Sequence, residues 1–243
     1  MSVTRRATCV FCGGTPVNRE HVFPRWMSRA LRNRGAKQFI LGMKGVTYRS
    51  GEINLTVRQF CESCNSGWMA ALERATQPIL APMLLNTDLQ VLSEEDQATL
   101  ATWAYKTALV LMAHEHPGSL PDRWFETFYR ERQPIGGVYL GTYGGERRQG
   151  RYNVQAGTFT PTGATPPTEP NLFVARFSVF KPVFTVVGYL GGSKVGVNDR
   201  SIRESFYRLS PPDRDTVEWP HPVQIDDETI DAGIPVDQTL DMD

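Results

Sequence analysis

Two C-x-x-C pairs constrain this chain more than any other feature. They are Cys9-Val10-Phe11-Cys12 and Cys61-Glu62-Ser63-Cys64, and they use all 4 cysteines of the 243 residues. Each C-x-x-C turn can aim two thiolates at one ion, and two such turns complete a tetrahedral zinc site. Gly13 and Gly14 suit a tight knuckle after the first pair. A lone C-x-x-C could be a redox pair, but no thioredoxin-like βαβ pattern surrounds either one. The opening stretch MSVTRRATCVFCGG carries two arginines without an apolar region behind them, so it does not read as a secretory signal. No apolar run reaches the roughly 18 residues that span a bilayer. The expectation is a cytoplasmic protein with no membrane partner, in which cysteines ligate metal rather than form disulfides. Cys9, Cys12, Cys61 and Cys64 are therefore expected to hold a structural Zn2+, with an insertion between the two knuckles.

Charge is balanced overall but unevenly spread. Residues 1–70 carry eleven Lys or Arg against three acids, a net of +8, and residues 211–243 carry ten acids against Arg214, a net of −9. A basic front end attracts polyanions such as nucleic acid. The alternative is a basic face packed near the acidic tail of the same chain.

A coarse pass places the knuckles among elements. Residues 24–34 read as a short basic helix opened by Pro24. Residues 38–42, 45–49 and 53–60 read as short antiparallel strands punctuated by glycines. The second knuckle runs into Asn65-Ser66-Gly67-Trp68 and a helix, with Trp68 and Met69 in the core. Residues 93–115 are the clearest helix, with Ser93 as N-cap and Asp96 closing a capping box. Its Leu100, Trp103, Thr107, Val110 and Leu111 fall at helical spacing. Lys106 is expected to snorkel from it to the surface. His114-Glu115-His116 ends it, and i, i+2 side chains there diverge, which disfavours a metal site. Residues 122–132 form another helix, and strands follow near 136–143, 151–159, 172–181, 183–190 and 204–209, in an antiparallel sheet with one face buried. Residues 160–170 are a Pro/Thr-rich loop, and Gly191-Gly192-Ser193-Lys194 reads as a hairpin turn. The segment from 211 onward is expected to wrap the surface or stay partly disordered.

Between the knuckles lies Asn18-Arg19-Glu20-His21-Val22-Phe23-Pro24, a carboxylate directly before a histidine. Asn54 follows at the start of the strand that leads to Cys61, and Asn65 follows Cys64. In this order, over about residues 7–75, the chain resembles the HNH endonuclease family of ββα-metal nucleases. That family reads C-x-x-C, an acid–His pair with Pro three residues on, an Asn, then C-x-x-C followed by His or Asn. The resemblance implies an α+β protein. An N-terminal zinc-stapled ββα-metal, treble-clef-like module would span 1–80, a larger helix and antiparallel-sheet domain 81–210, and an acidic C-terminal tail 211–243.

It also implies roles. His21 would be the general base, a task its ordinary pKa near 6.5 suits. Asn54 would orient His21. Glu20 and Asn65 would hold a catalytic divalent cation, Mg2+ or Mn2+. Arg19 or Arg25 would grip the neighbouring phosphate of DNA, expected to be double-stranded. The chain carries Glu where the family usually has Asp, and Asn54 lies seven residues before Cys61, farther than usual. Glu73 is a solvated helix residue or an extra ligand.

Blander readings stand beside these. His21 could be a structural histidine paired with Glu20, and Asn65 a helix cap. The chain could be a zinc-stabilised nucleic-acid-binding module without catalysis. It could also be an interaction or scaffold protein, with a partner or a second copy docking on the C-terminal domain.

Overall fold

The computed structural model describes residues 7–33, 39–43, 46–50, 53–84, 88–145, 149–160, 164–191, 195–197, 200–232 and 240–242. In chain order the first elements are β1 (Val17–His21), α1 (Arg25–Asn33), β2 (Phe39–Met43), β3 (Val46–Ser50) and β4 (Thr56–Cys61). A wide π-type helical segment (Ser63–Met69) leads into α2 (Ala70–Met83), β5 (Gln90–Leu92), α3 (Glu94–Glu115) and α4 (Arg123–Glu131). Then come β6 (Gly136–Tyr143), β7 (Gln149–Gly157), β8 (Leu172–Val179), β9 (Pro182–Tyr189), β10 (Val195–Val197) and α5 (Arg200–Ser205). The last are β11 (Phe206–Ser210), β12 (Val217–Trp219), β13 (Gln224–Ile225), α6 (Asp227–Ala232) and β14 (Leu240–Met242). The mixture of helices with mostly antiparallel strands is the α+β class expected from the sequence.

Helix α3 organises the molecule. Its start is fixed by the expected capping box: Ser93 Oγ accepts from Asp96 N–H at 3.2 Å, and the Asp96 carboxylate accepts from Ser93 N–H at 3.0 Å. One flank packs on the main sheet, where Trp103 meets Phe177 and Phe184 edge-on and Tyr105 meets Phe173. Another flank receives the cysteine module, with Gln59 Nε2 donating to Ala113 O at 2.7 Å. Packed by different layers, α3 is buried on nearly all sides, and Leu100, Trp103, Thr107, Val110 and Leu111 are fully enclosed.

The main sheet runs β11-β6-β9-β8-β7-β2-β3, with β13 also pairing β6. Its pairs are antiparallel except β2 with β7 and β13 with β6. Three features differ from expectation. The β2–β3 hairpin, which lies between His21 and Asn54 in sequence, joins the edge of the main sheet (Leu41 opposite Gly150) rather than the cysteine module. The boundary expected at 80/81 falls inside α2, and one apolar cluster runs from Cys9 and Phe60 to Phe177 and Phe184. The sheet is also covered on its second face, where Leu172, Val174, Val183 and Val187 pack with Ile202, Phe206, Ile225 and Ile230. A strand enclosed on both sides loses its alternating pattern, which is why β8 and β9 read as near-continuous apolar runs.

The C-terminal segment explains the third. The segment from 211 onward supplies much of that cover. β13 pairs β6, and α6 is held on β7 and β8. Arg151 meets Asp227 at 3.2 Å and also pairs with Asp231, and Arg176 donates to Thr229 O. Of the two expectations for this segment, its described residues take the first and wrap the sheet, with Asp227 and Asp231 paired to Arg151. The positions Gly192-Ser193-Lys194, the middle of the 160–170 loop and the turn at Ser50-Gly51 include positions that lie outside the described residues.

Candidate metal centre and the histidine beside it

The first knuckle is closed by its own backbone: Cys9 N–H donates to Gly14 O at 2.9 Å and Gly13 N–H to Cys9 O at 2.8 Å. Gly13 sits at φ +70°, a left-handed conformation that side chains strain. A Cβ on Gly14 would stand 3.2 Å from Cys12 Sγ and 3.5 Å from Cys61 Sγ, so the backbone must approach the sulfurs bare. β4 delivers Cys61, and the helical segment after it carries Cys64. The four sulfurs lie within 4.8 Å of one another. Zinc–sulfur bonds of about 2.3 Å in a tetrahedron require sulfur–sulfur edges of about 3.8 Å. The donors present fit a closed site for a metal such as zinc. Cys9, Cys61 and Cys64 are buried and Cys12 is exposed. Burial pushes the Cys12 and Cys64 thiols up. Burial acts the same way on Cys61, but hydrogen bonds from Ser63, the Cys64 N–H and Cys12 overcome it and bring that thiol down to about 6.

The knuckles bracket an antiparallel pair followed by a helix. β1 pairs β4 with His21 opposite Thr56, and β4 leads through the second knuckle into the helical segment and α2. Strand β4 begins at Thr56, so Asn54 lies before it in an exposed, irregular stretch. Its neighbour Leu55 accepts the Val22 N–H at 2.9 Å, which keeps Asn54 near the end of β1 without putting it in the strand. Asn65 is not a helix cap. Its amide Nδ2 reaches back across the module to Asn18 Oδ1 at 3.1 Å and Arg19 O at 3.3 Å. Asn18 in turn donates to Glu62, which also accepts from Ser66. This polar string ties the histidine-bearing strand to the start of the helix. Sequence reasoning passed over Asn18 and Glu62, since neither type is distinctive alone.

His21 is half-buried at the end of β1, and Arg25 Nε donates to its Nε2 at 3.2 Å. In that geometry Nε2 is the unprotonated nitrogen. The pair arises because α1 starts one turn beyond the strand. Arg19 and Arg25 are both exposed.

Glu20 points the other way. Only 5% of it is exposed, and its carboxylate faces Lys106 of α3 at 4.0 Å. Lys106 does not snorkel: it is fully enclosed and bonds Glu73 of α2 at 3.0 Å. Glu73, expected in solvent or as a ligand, is thus part of a Glu20–Lys106–Glu73 cluster. Glu20 faces this cluster, whereas Asn65 faces Asn18 and Arg19 O. Burial raises the Glu20 carboxyl to about 7, with Glu73 adding to the rise and Lys106 and the His21 N–H opposing it.

That shift carries a sign. The folded state holds this proton more tightly than the unfolded chain does. The stability it contributes is complete below the ordinary 4.5 and is lost as pH climbs through about 7. The loss amounts to about 3 kcal/mol. Glu20→Gln is expected to flatten stability between pH 5 and pH 8, read from urea midpoints at the two values. Parallel pH dependence in both proteins would remove Glu20 as the source.

His114, Glu115 and His116, where a metal site was disfavoured, bond to one another and to β7. Glu115 accepts from Tyr152 Oη at 2.6 Å and lies 3.4 Å from His114, while His116 Nε2 meets Val154 O at 3.2 Å. No helix among the described residues is long and apolar enough to cross a membrane. Comparison with known protein families, curated proteins and solved structures finds no match to this chain.

Proposed function

We propose that this chain is an endonuclease of the HNH type that hydrolyses phosphodiester bonds of double-stranded DNA. The observation that carries the reading is the polar string from Asn65 to β1. A four-cysteine centre clamps a β-pair to a helix, and Asn65 bonds to Asn18 and Arg19 O on the strand that ends in His21. His21 is the general base. Its Nε2 lone pair faces Arg25, and a phosphate drawing the guanidinium away frees that nitrogen to take a proton from water. The hydroxide attacks phosphorus in line and expels the 3′ oxygen. Arg19 and Arg25 neutralise the phosphate. Asn54, near the end of β1, is carried as the residue that orients His21. The Mg2+ or Mn2+ implied by the resemblance would supply further neutralisation at Glu20 and Asn65. Glu20 faces Lys106 instead.

The same Glu20–Lys106 contact favours a second reading, a zinc-stabilised module that binds nucleic acid without cutting it. Supercoiled plasmid with and without Mg2+ or Mn2+ separates the two. Wild type is expected to nick, and His21→Ala to lose at least about a hundredfold in rate with its zinc retained. Equal nicking by both would end the role of His21. DNA retention without nicking by either would favour the binding module.

A further inference from the structure

Helix α1 has two unlike faces. Trp26, Met27, Ser28 and Leu31 are buried, and Ser28 Oγ accepts the Ile53 N–H at 3.1 Å, which anchors the helix. Arg25, Arg29 and Arg32 are exposed. Their spacing of four and three residues stacks them along one line of the helix. Stacked like charges repel and disfavour the helix that carries them. No acid lies anywhere from Val22 to Arg34 to relieve this. Among the described residues Arg29 has no ion-pair partner. Three acids of the C-terminal segment are engaged elsewhere, Asp227 and Asp231 with Arg151 and Asp213 with Arg214. Arg19 and Arg58, from β1 and β4, add two more exposed arginines. Exposed along one face of the helix, such a row is complementary to a line of phosphates.

We infer that α1 is a backbone track: Arg25, Arg29 and Arg32 lie along successive phosphates of one strand of duplex DNA, on one side of the bond presented to His21. Arg25 to Arg32 spans about 10 Å along the helix, the axial length of about three nucleotides of one strand. Guanidinium forks match phosphate oxygens two at a time. Because α1 leads away from His21, the footprint is lopsided and extends to one side of the cleaved position. The position of that bond rests on the nuclease reading; the backbone contact does not.

The test measures binding of zinc-loaded protein to a labelled duplex over a salt series without added divalent cation. Each phosphate contact steepens the log–log salt slope by about 0.9. Arg29→Ala/Arg32→Ala is expected to lessen the slope by about 1.8. It should weaken low-salt binding by about tenfold or more, with zinc content and melting unchanged. Arg123→Ala/Arg130→Ala removes two exposed arginines of α4 that already face Glu169 and Glu131, and should leave the slope as it was. An unchanged slope in the α1 double variant, equal losses in both, or no binding by wild type at low salt would overturn the track. Tighter binding of an RNA duplex than of DNA would overturn its assignment to DNA. A wild type that binds with the expected slope but never cuts leaves the track standing and removes the nuclease reading.

Discussion

Cys61→Ser is expected to lose the metal and unfold the cysteine module, while His21→Ala keeps both. Structural zinc in small modules contributes on the order of 10 kcal/mol, comparable with the roughly 5–15 kcal/mol that holds a whole domain together. Apart from that site the module relies on the apolar cluster it shares with α3 and the sheet. β1 and β4 form a two-stranded pair, and such a pair is marginal alone. Removing one thiolate leaves a tridentate site and an uncompensated cluster of sulfurs. The damage should spread, because Phe11 stacks on Phe60 at 4.9 Å and meets Phe125 of α4 edge-on. Metal analysis should give one zinc for wild type and less than half that for Cys61→Ser, with hydrogen exchange protection lost over residues 7–33 and 53–69. A chelator should reproduce the effect in the wild type. A Cys61→Ser protein with a full zinc complement and an unchanged melting point would show that the four cysteines do not form one centre.

Lys106→Met should destabilise the fold by about 3–5 kcal/mol, the cost of breaking a buried ion pair from one side. The ammonium is fully enclosed and faces Glu73 at 3.0 Å and Glu20 at 4.0 Å. Without it, two carboxylates share a buried site with no counter-charge, and Glu20 rises further above about 7. The double change Lys106→Met with Glu20→Gln is expected to recover much of the loss, since fewer uncompensated charges stay buried. Denaturation of the single and double variants at pH 8 would measure the coupling. A loss below about 1 kcal/mol in the single variant would put Lys106 in the class of weak surface pairs. The strand end bearing His21 leans on this cluster, so the single variant should also slow any cleavage that depends on His21.

Local chemistry was readable along the chain. The C-x-x-C pairs pointed to one four-cysteine cluster that could hold a metal, because each turn presets two ligands, and only their convergence needed the fold. The start of α3 was readable because Ser93 and Asp96 satisfy donors within one turn. Trp68 was assigned to the core, but its place under Arg132, whose guanidinium lies 4.0 Å from the ring, was not foreseeable from residues 64 apart. The two-sided burial of the sheet was hidden because its cover, α5 and α6, comes from segments whose charge reads as solvent-facing.

The acid–histidine pair divides the same way. Sequence alone put Glu20 beside His21 at the end of a short strand, one turn before a basic helix, between two C-x-x-C pairs. Alternation along β1 then sends neighbouring side chains to opposite sides. Which side would be dry was decided by α3, which arrives 73 residues after His21 and brings Lys106 against Glu20. A buried carboxylate needs a partner wherever the packing puts it, and that partner comes from a helix the local sequence around Glu20 does not contain.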